Sequence, residues 1–74
     1  MTLTEGMIGK TLRIKTDTDK EYKGVCVEYI PAKDNEPEID SVWIQKSGQE
    51  ADEIFENHIV SLEVLNAGKR TILD

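Results

Sequence analysis

The sequence predicts a mainly β protein: one small, five-stranded, strongly bent barrel with at most one short helical turn at its N-terminus. Three observations carry that prediction. Apolar residues recur mostly with period two, the period of a half-buried strand. The apolar runs are short and are separated by polar turns or by turns bearing Pro or Gly. The chain has 74 residues, which fits a single domain, with a core at about 8–65 and a flexible or strand-like tail at 66–74. A domain of this size buries only about 60% of the surface its unfolded chain exposes. Closing the sheet, fully or by half, protects its edges in so short a chain.

The elements follow in order. Thr2 and Glu5 have capping-box spacing, so one helical turn can start there. No amphipathic run follows, and Gly6 and Gly9 argue against a longer helix. In TLRIKT, residues 11–16, Leu12 and Ile14 alternate with Arg13 and Lys15, the pattern of a half-buried strand. Asp17–Lys20 is a polar turn. EYKGVCVEYI, residues 21–30, is apolar at both parities. Such a strand is covered on both faces or bends between two sheets, and Gly24 is the natural bend. Residues 31–38, PAKDNEPE, form an acidic loop between two prolines. IDSVWIQK, residues 39–46, is the third strand, with Val42 and Ile44 on one face and Trp43 on the other. Residues 47–52 are a turn. A fourth strand lies around Glu53–Phe55, a turn at Glu56–His58, and a fifth strand at Ile59–Leu65. The tail from Asn66 reads as loop, with strand-forming residues at Thr71–Leu73.

Residues 9–29, GKTLRIKTDTDKEYKGVCVEY, resemble the first motif of Sm-like (Lsm) proteins: Gly9, an alternating strand at Leu12–Lys15, a turn, then Tyr22 and Gly24 in a bent second strand. The closing IVSLEVL is similar to the strand that ends the second motif of that family. SH3-like barrels share much of this pattern, so both assignments stand at this point. The Sm-like resemblance implies a five-stranded bent barrel. It also implies rings built by pairing fourth and fifth strands of neighbours, and binding of single-stranded RNA in the pore. The chain departs from the family at the RNA site. Asp34, Asn35 and Asp40 do not have the family's Asp–Asn spacing. Phe55 and Glu56 stand where the family has a cation and a Gly.

Charge bears on the same question. Net charge is −6. Residues 1–27 carry +1, residues 28–57 carry −7 and residues 58–74 carry 0. Nucleic-acid affinity comes largely from Lys and Arg releasing counterions, so an acidic field weighs against general RNA binding. A local patch on the first hairpin, from Lys10, Arg13, Lys15, Lys20 and Lys23, is the candidate nucleic-acid contact, against the plainer reading of a solvated face.

Trp43, Tyr29 and Phe55 are the candidate interaction residues. Trp43 lies opposite the apolar face of its strand, and Trp is enriched at binding hot spots. Tyr29 ends the second strand. Phe55 reads first as core filling beside Ile54, and as a stacking platform in the alternative. Cys26 and His58 lack a third, orienting group, so Cys26 reads as an inert buried thiol and His58 as a turn residue. DTDKE, residues 17–21, has Tyr22 where a calcium loop requires Gly. No catalytic set, metal site or cofactor is therefore expected. A single cysteine, no visible signal peptide and no long apolar run lead to the expectation of a soluble, cytoplasmic protein without a membrane partner. The function expected is a non-enzymatic interaction or assembly module that associates with itself or another protein. The alternative is an RNA-binding Sm-like ring.

Overall fold

In the computed structural model the described backbone covers residues 2–66 and 69–73, and the described side chains end at residue 65. The five predicted strands are all present: β1 (Thr11–Thr16), β2 (Glu21–Ile30), β3 (Ser41–Gln45), β4 (Ala51–Phe55) and β5 (Ile59–Asn66). A sixth, β6 (Lys69–Leu73), lies in the tail and takes in the strand-forming residues Thr71–Leu73, starting two residues before them. Ala67, Gly68 and Asp74 of that predicted tail lie outside the described residues. One antiparallel sheet runs in the order β4-β3-β2-β1-β5-β6. It is open: β4 and β6 are its two edges.

β2 builds the bend. Its residues 21–25 pair with β1, and residues 25–30 pair with β3. The register shifts between Cys26 and Glu28, a β-bulge that increases local twist. Gly24 sits just before it. A Cβ there would lie 2.5 Å from the Gln45 carbonyl oxygen and 2.8 Å from its carbon. Only Gly lets the two backbones approach so closely. The predicted bend and its residue are both present.

The core is formed by Leu12 and Ile14 of β1, Cys26 of β2, Val42 and Ile44 of β3, Ile54 of β4, and Leu62 and Val64 of β5. These positions alternate along each strand, as the period-two reading required. Leu3 and Met7 complete the core from the N-terminal segment. That segment makes a single 3-10 turn at Glu5–Met7. The predicted Thr2–Glu5 capping box does not form: Thr4 precedes the turn, with no side-chain cap bond. The turn is held by its burial of Met7 instead. β4 begins two residues earlier than predicted, and β3 two residues later. Ala51 is small and Asp52 charged, so the two give no strand alternation to read, and Ile39–Asp40 belong to the preceding loop.

Candidate functional site

The outer face of the sheet divides into two halves along β2. On the first half, β5, β1 and the start of β2 bring Glu63, Arg13 and Lys23 into one cross-strand row, and Ser61, Lys15 and Glu21 into the next. Arg13 Nη1 donates to Glu63 Oε1 at 3.2 Å. Its Nε lies 3.4 Å from Glu21 Oε2, close enough for an ion pair but not aligned as a hydrogen bond. The candidate nucleic-acid residues therefore sit among carboxylates. Arg13 is tied between two of them, and Lys15 and Lys23 lie in the same rows. Lys10 and Lys20 are exposed and stand outside β1 and β2.

On the second half, Trp43 points outward between Glu28 of β2 and Glu53 of β4. It is half-buried. Its indole Nε1 is shielded from solvent and has no hydrogen-bond partner, so the exposed part of the ring is apolar. Val25 and Val27, 40% and 42% exposed, share this face. Val25 lies directly across from Gln45, two residues from Trp43 on the same strand face. A shallow groove runs over Val25, Val27 and Gln45 to the β3–β4 turn.

Loop 31–40 folds over one end of this half. Asn35 Nδ2 donates to the Ile39 carbonyl at 2.7 Å and to Ser41 Oγ at 2.9 Å. The fully buried Ser41 hydroxyl in turn donates to Glu53 Oε2 at 2.7 Å. Asp40 accepts from the Ala32 amide at 2.7 Å and from the Tyr29 hydroxyl at 3.1 Å, and its carbonyl accepts from the Glu56 amide at 2.8 Å. Asp40 and Asn35 thus act as internal hydrogen-bond hubs. Tyr29 packs against the core, and its polar end is engaged with Asp40. Partial burial and the Asp40 carboxylate raise the Tyr29 phenol above the ordinary tyrosine value.

Phe55 does not fill the core beside Ile54, as the sequence reading favoured. It pairs across from Ser41 on the opposite strand face and is half-buried outside the core cluster. Two adjacent residues of a strand cannot both face one side. Phe55 lines a second feature, a cleft of about 200 Å³ between the β1–β2 turn and the β4–β5 corner. The corner is a 3-10 turn at Glu56–His58. His58 Nδ1 lies 3.1 Å from Asp17 Oδ2, and the Asp17 amide donates to the His58 carbonyl at 2.9 Å. These two bonds tie the corner to the hairpin tip and form one wall of the cleft. Tyr22, Glu53 and Thr18 contribute to the others.

Cys26 is fully buried, its thiol faces the Glu28 carbonyl, and burial pushes its pKa up. His58 instead faces Asp17, so the two are not brought together as base and nucleophile. Among the described residues, no group of three or more His, Cys, Asp or Glu is placed to hold a metal ion. No helix among them is long and apolar enough to cross a membrane. Comparison with known proteins finds no matching family model, no matching curated protein and no matching solved structure.

Proposed function

We propose that this chain is a non-enzymatic interaction module that docks a partner protein on the outer face of β2, β3 and β4. The observation that carries this reading is the row Glu28–Trp43–Glu53 beside exposed Val25 and Val27. An aromatic anchor beside apolar neighbours is the usual centre of an interface. The flanking carboxylates select a partner with basic residues around an apolar patch. A second copy would set these carboxylates against their own kind, so charge favours a different protein over self-association. The strand order β4-β3-β2-β1-β5, with a 3-10 corner between β4 and β5, supports reading the fold as Sm-like or SH3-like. An RNA-binding ring has less support. β6 occupies the β5 edge that ring assembly of that kind would use, and Arg13 is tied between two carboxylates.

Selection of binders from a random peptide library, with affinities measured by titration calorimetry, tests this. Lys- or Arg-bearing peptides with apolar residues are expected. Trp43→Ala should weaken them by about 2 kcal/mol, roughly 30-fold. Val27→Asp should do likewise on a folded chain. Binders indifferent to both changes would reject the face. Light scattering that shows a dimer dissolved by Val27→Asp would make the occupant a second copy and reject the partner assignment.

A further inference from the structure

We propose that the free edge of β4 takes up a short, basic, extended segment of a partner protein, which adds to the sheet as a further strand. The edge is a separate feature from the Trp43 face, and either can fail without the other. The phase of the ladder decides which backbone groups are free. The Glu56 amide donates to the Asp40 carbonyl at 2.8 Å. In an antiparallel ladder, bonded pairs alternate with pairs that exchange no bond. With Glu56 bonded to Asp40, the next bonded pairs are Ile54–Val42 and Asp52–Ile44. The amides and carbonyls of Ala51, Glu53 and Phe55 therefore point off the sheet. β4 is an edge strand, and among the described residues no other strand or turn bonds to these groups.

The edge is also open. The cleft beside it touches Glu53, Ile54 and Phe55 in succession. Side chains of neighbours in a strand point to opposite faces, so what these three share along one side is backbone. A row of unpaired amides and carbonyls is a template on which a further strand pairs. Charge chooses the occupant. Residues 50–56, EADEIFE, carry four carboxylates and no Lys or Arg. Two such edges set together would place carboxylate against carboxylate, which destabilises a strand pair. Charges on an edge guard against aggregation, and these turn away a second β4 while admitting a basic strand. The complementary segment carries Lys opposite Asp52 and Glu53. The β3–β4 turn and the 3-10 corner at Glu56–His58 end the template, so the segment matches the five residues of β4.

The test is amide hydrogen exchange read by NMR, with acetyl-Val-Thr-Lys-Lys-Val-amide as the probe. In the dilute free chain, the Asp52 and Ile54 amides should exchange slowly and those of Glu53 and Phe55 fast. The peptide should slow Glu53 and Phe55 about fivefold when most sites are filled. Running antiparallel from Phe55, it turns the amides of its first, third and fifth residues toward β4. A methyl on the third amide nitrogen should abolish the protection, and a methyl on the fourth should leave it. Glutamate in place of both lysines should abolish binding. Glu53→Gln keeps an oxygen for Ser41 and should weaken binding about threefold, the effect of one solvent-exposed charge pair. Glu53 and Phe55 amides already slow in the dilute free chain, or not slowed by peptide, overturn the proposal. Equal binding of the two methylated peptides, or of the glutamate peptide, does so too. Protection that appears without peptide as the chain is concentrated makes the occupant a second copy and rejects the partner assignment. Trp43 lies on the next strand, so Trp43→Ala should leave the peptide-induced protection in place.

Discussion

The two halves of the outer face have the same backbone geometry and opposite chemistry. On the β5–β1–β2 half, cations and carboxylates share the cross-strand rows Glu63–Arg13–Lys23 and Ser61–Lys15–Glu21, and Arg13 reaches both Glu63 and Glu21. On the β2–β3–β4 half, Glu28 and Glu53 flank Trp43 with no cation in the row, and two valines stand exposed beside them. The first half ties its arginine to two carboxylates within the chain. The second carries exposed apolar surface and negative charge, the face proposed above as the docking surface. One strand serves both halves, and they meet at Gly24. A face completed internally and a face left incomplete are thus separated by a few residues of β2.

The strongest way to break this division is to attack the junction. Gly24→Ala places a methyl group 2.5 Å from a backbone oxygen that belongs to a strand ladder and has little room to move. Overpacking of this kind costs about 2–3 kcal/mol. In a domain this small that lowers the melting temperature by about 10–20 °C. A melt followed by circular dichroism reads it directly. A variant that melts with the parent would mean β2 and β3 do not approach as closely as described, and the two halves would not be separate surfaces.

A smaller effect separates stability from binding. Arg13→Gln removes both ion pairs on the matched half and leaves Lys15 and Lys23 beside Glu21 and Glu63. The Arg13 side chain is 35% exposed, and Glu21 58%. Such pairs contribute about 1 kcal/mol or less, and salt screens them. Urea unfolding should show a loss of that size at low salt, shrinking as salt rises. Peptide binding at Trp43 should not change. A loss of binding in Arg13→Gln would show that the matched half takes part in docking, and the contrast between halves would fail.

The strands were legible because each has one dry face. Leu12 and Ile14, then Val42 and Ile44, state the period and therefore the face. The bend was legible because β2 is apolar at both parities around a Gly. The core contribution of Leu3 and Met7 was not, because isolated apolar residues in an aperiodic segment give no face to read. Phe55 could have been assigned correctly, since Ile54 and Phe55 are neighbours in a strand and only one can enter the core. The cleft had no local signal at all. Asp17 and His58 are 41 positions apart, and only the fold joins the hairpin tip to the β4–β5 corner. Trp43 was legible as outward-facing, but its flanking carboxylates come from two other strands and needed the register.

The smallest expected effect lies at the two hairpin tips, one on each half. The β1–β2 tip is a three-residue loop in which the Asp19 amide donates to the Thr16 carbonyl, the Thr16 amide donates to the Lys20 carbonyl, and Asp19 has φ 62°. The β3–β4 tip places Gly48 at φ 75°, as the third residue of a type II turn requires. A Cβ on Gly48 would meet nothing within 4 Å, so Gly48→Ala tests backbone conformation alone. The left-handed region costs an L-residue about 1–2 kcal/mol, and the stiffer unfolded chain returns about 0.4–1 kcal/mol. A net loss of about 0.5–1 kcal/mol is expected. Asp19→Gly runs the other way with less force, because Asp tolerates this region better than most residues. Relief of strain and the added freedom of the unfolded chain should nearly cancel, within about 0.5 kcal/mol. Urea midpoints of the two variants decide the matter. A neutral Gly48→Ala would mean that the turn adopts a form with no positive φ. A large gain from Asp19→Gly would mean that strain is held at the tip that carries Asp17 and Thr18, the same tip that forms one wall of the cleft.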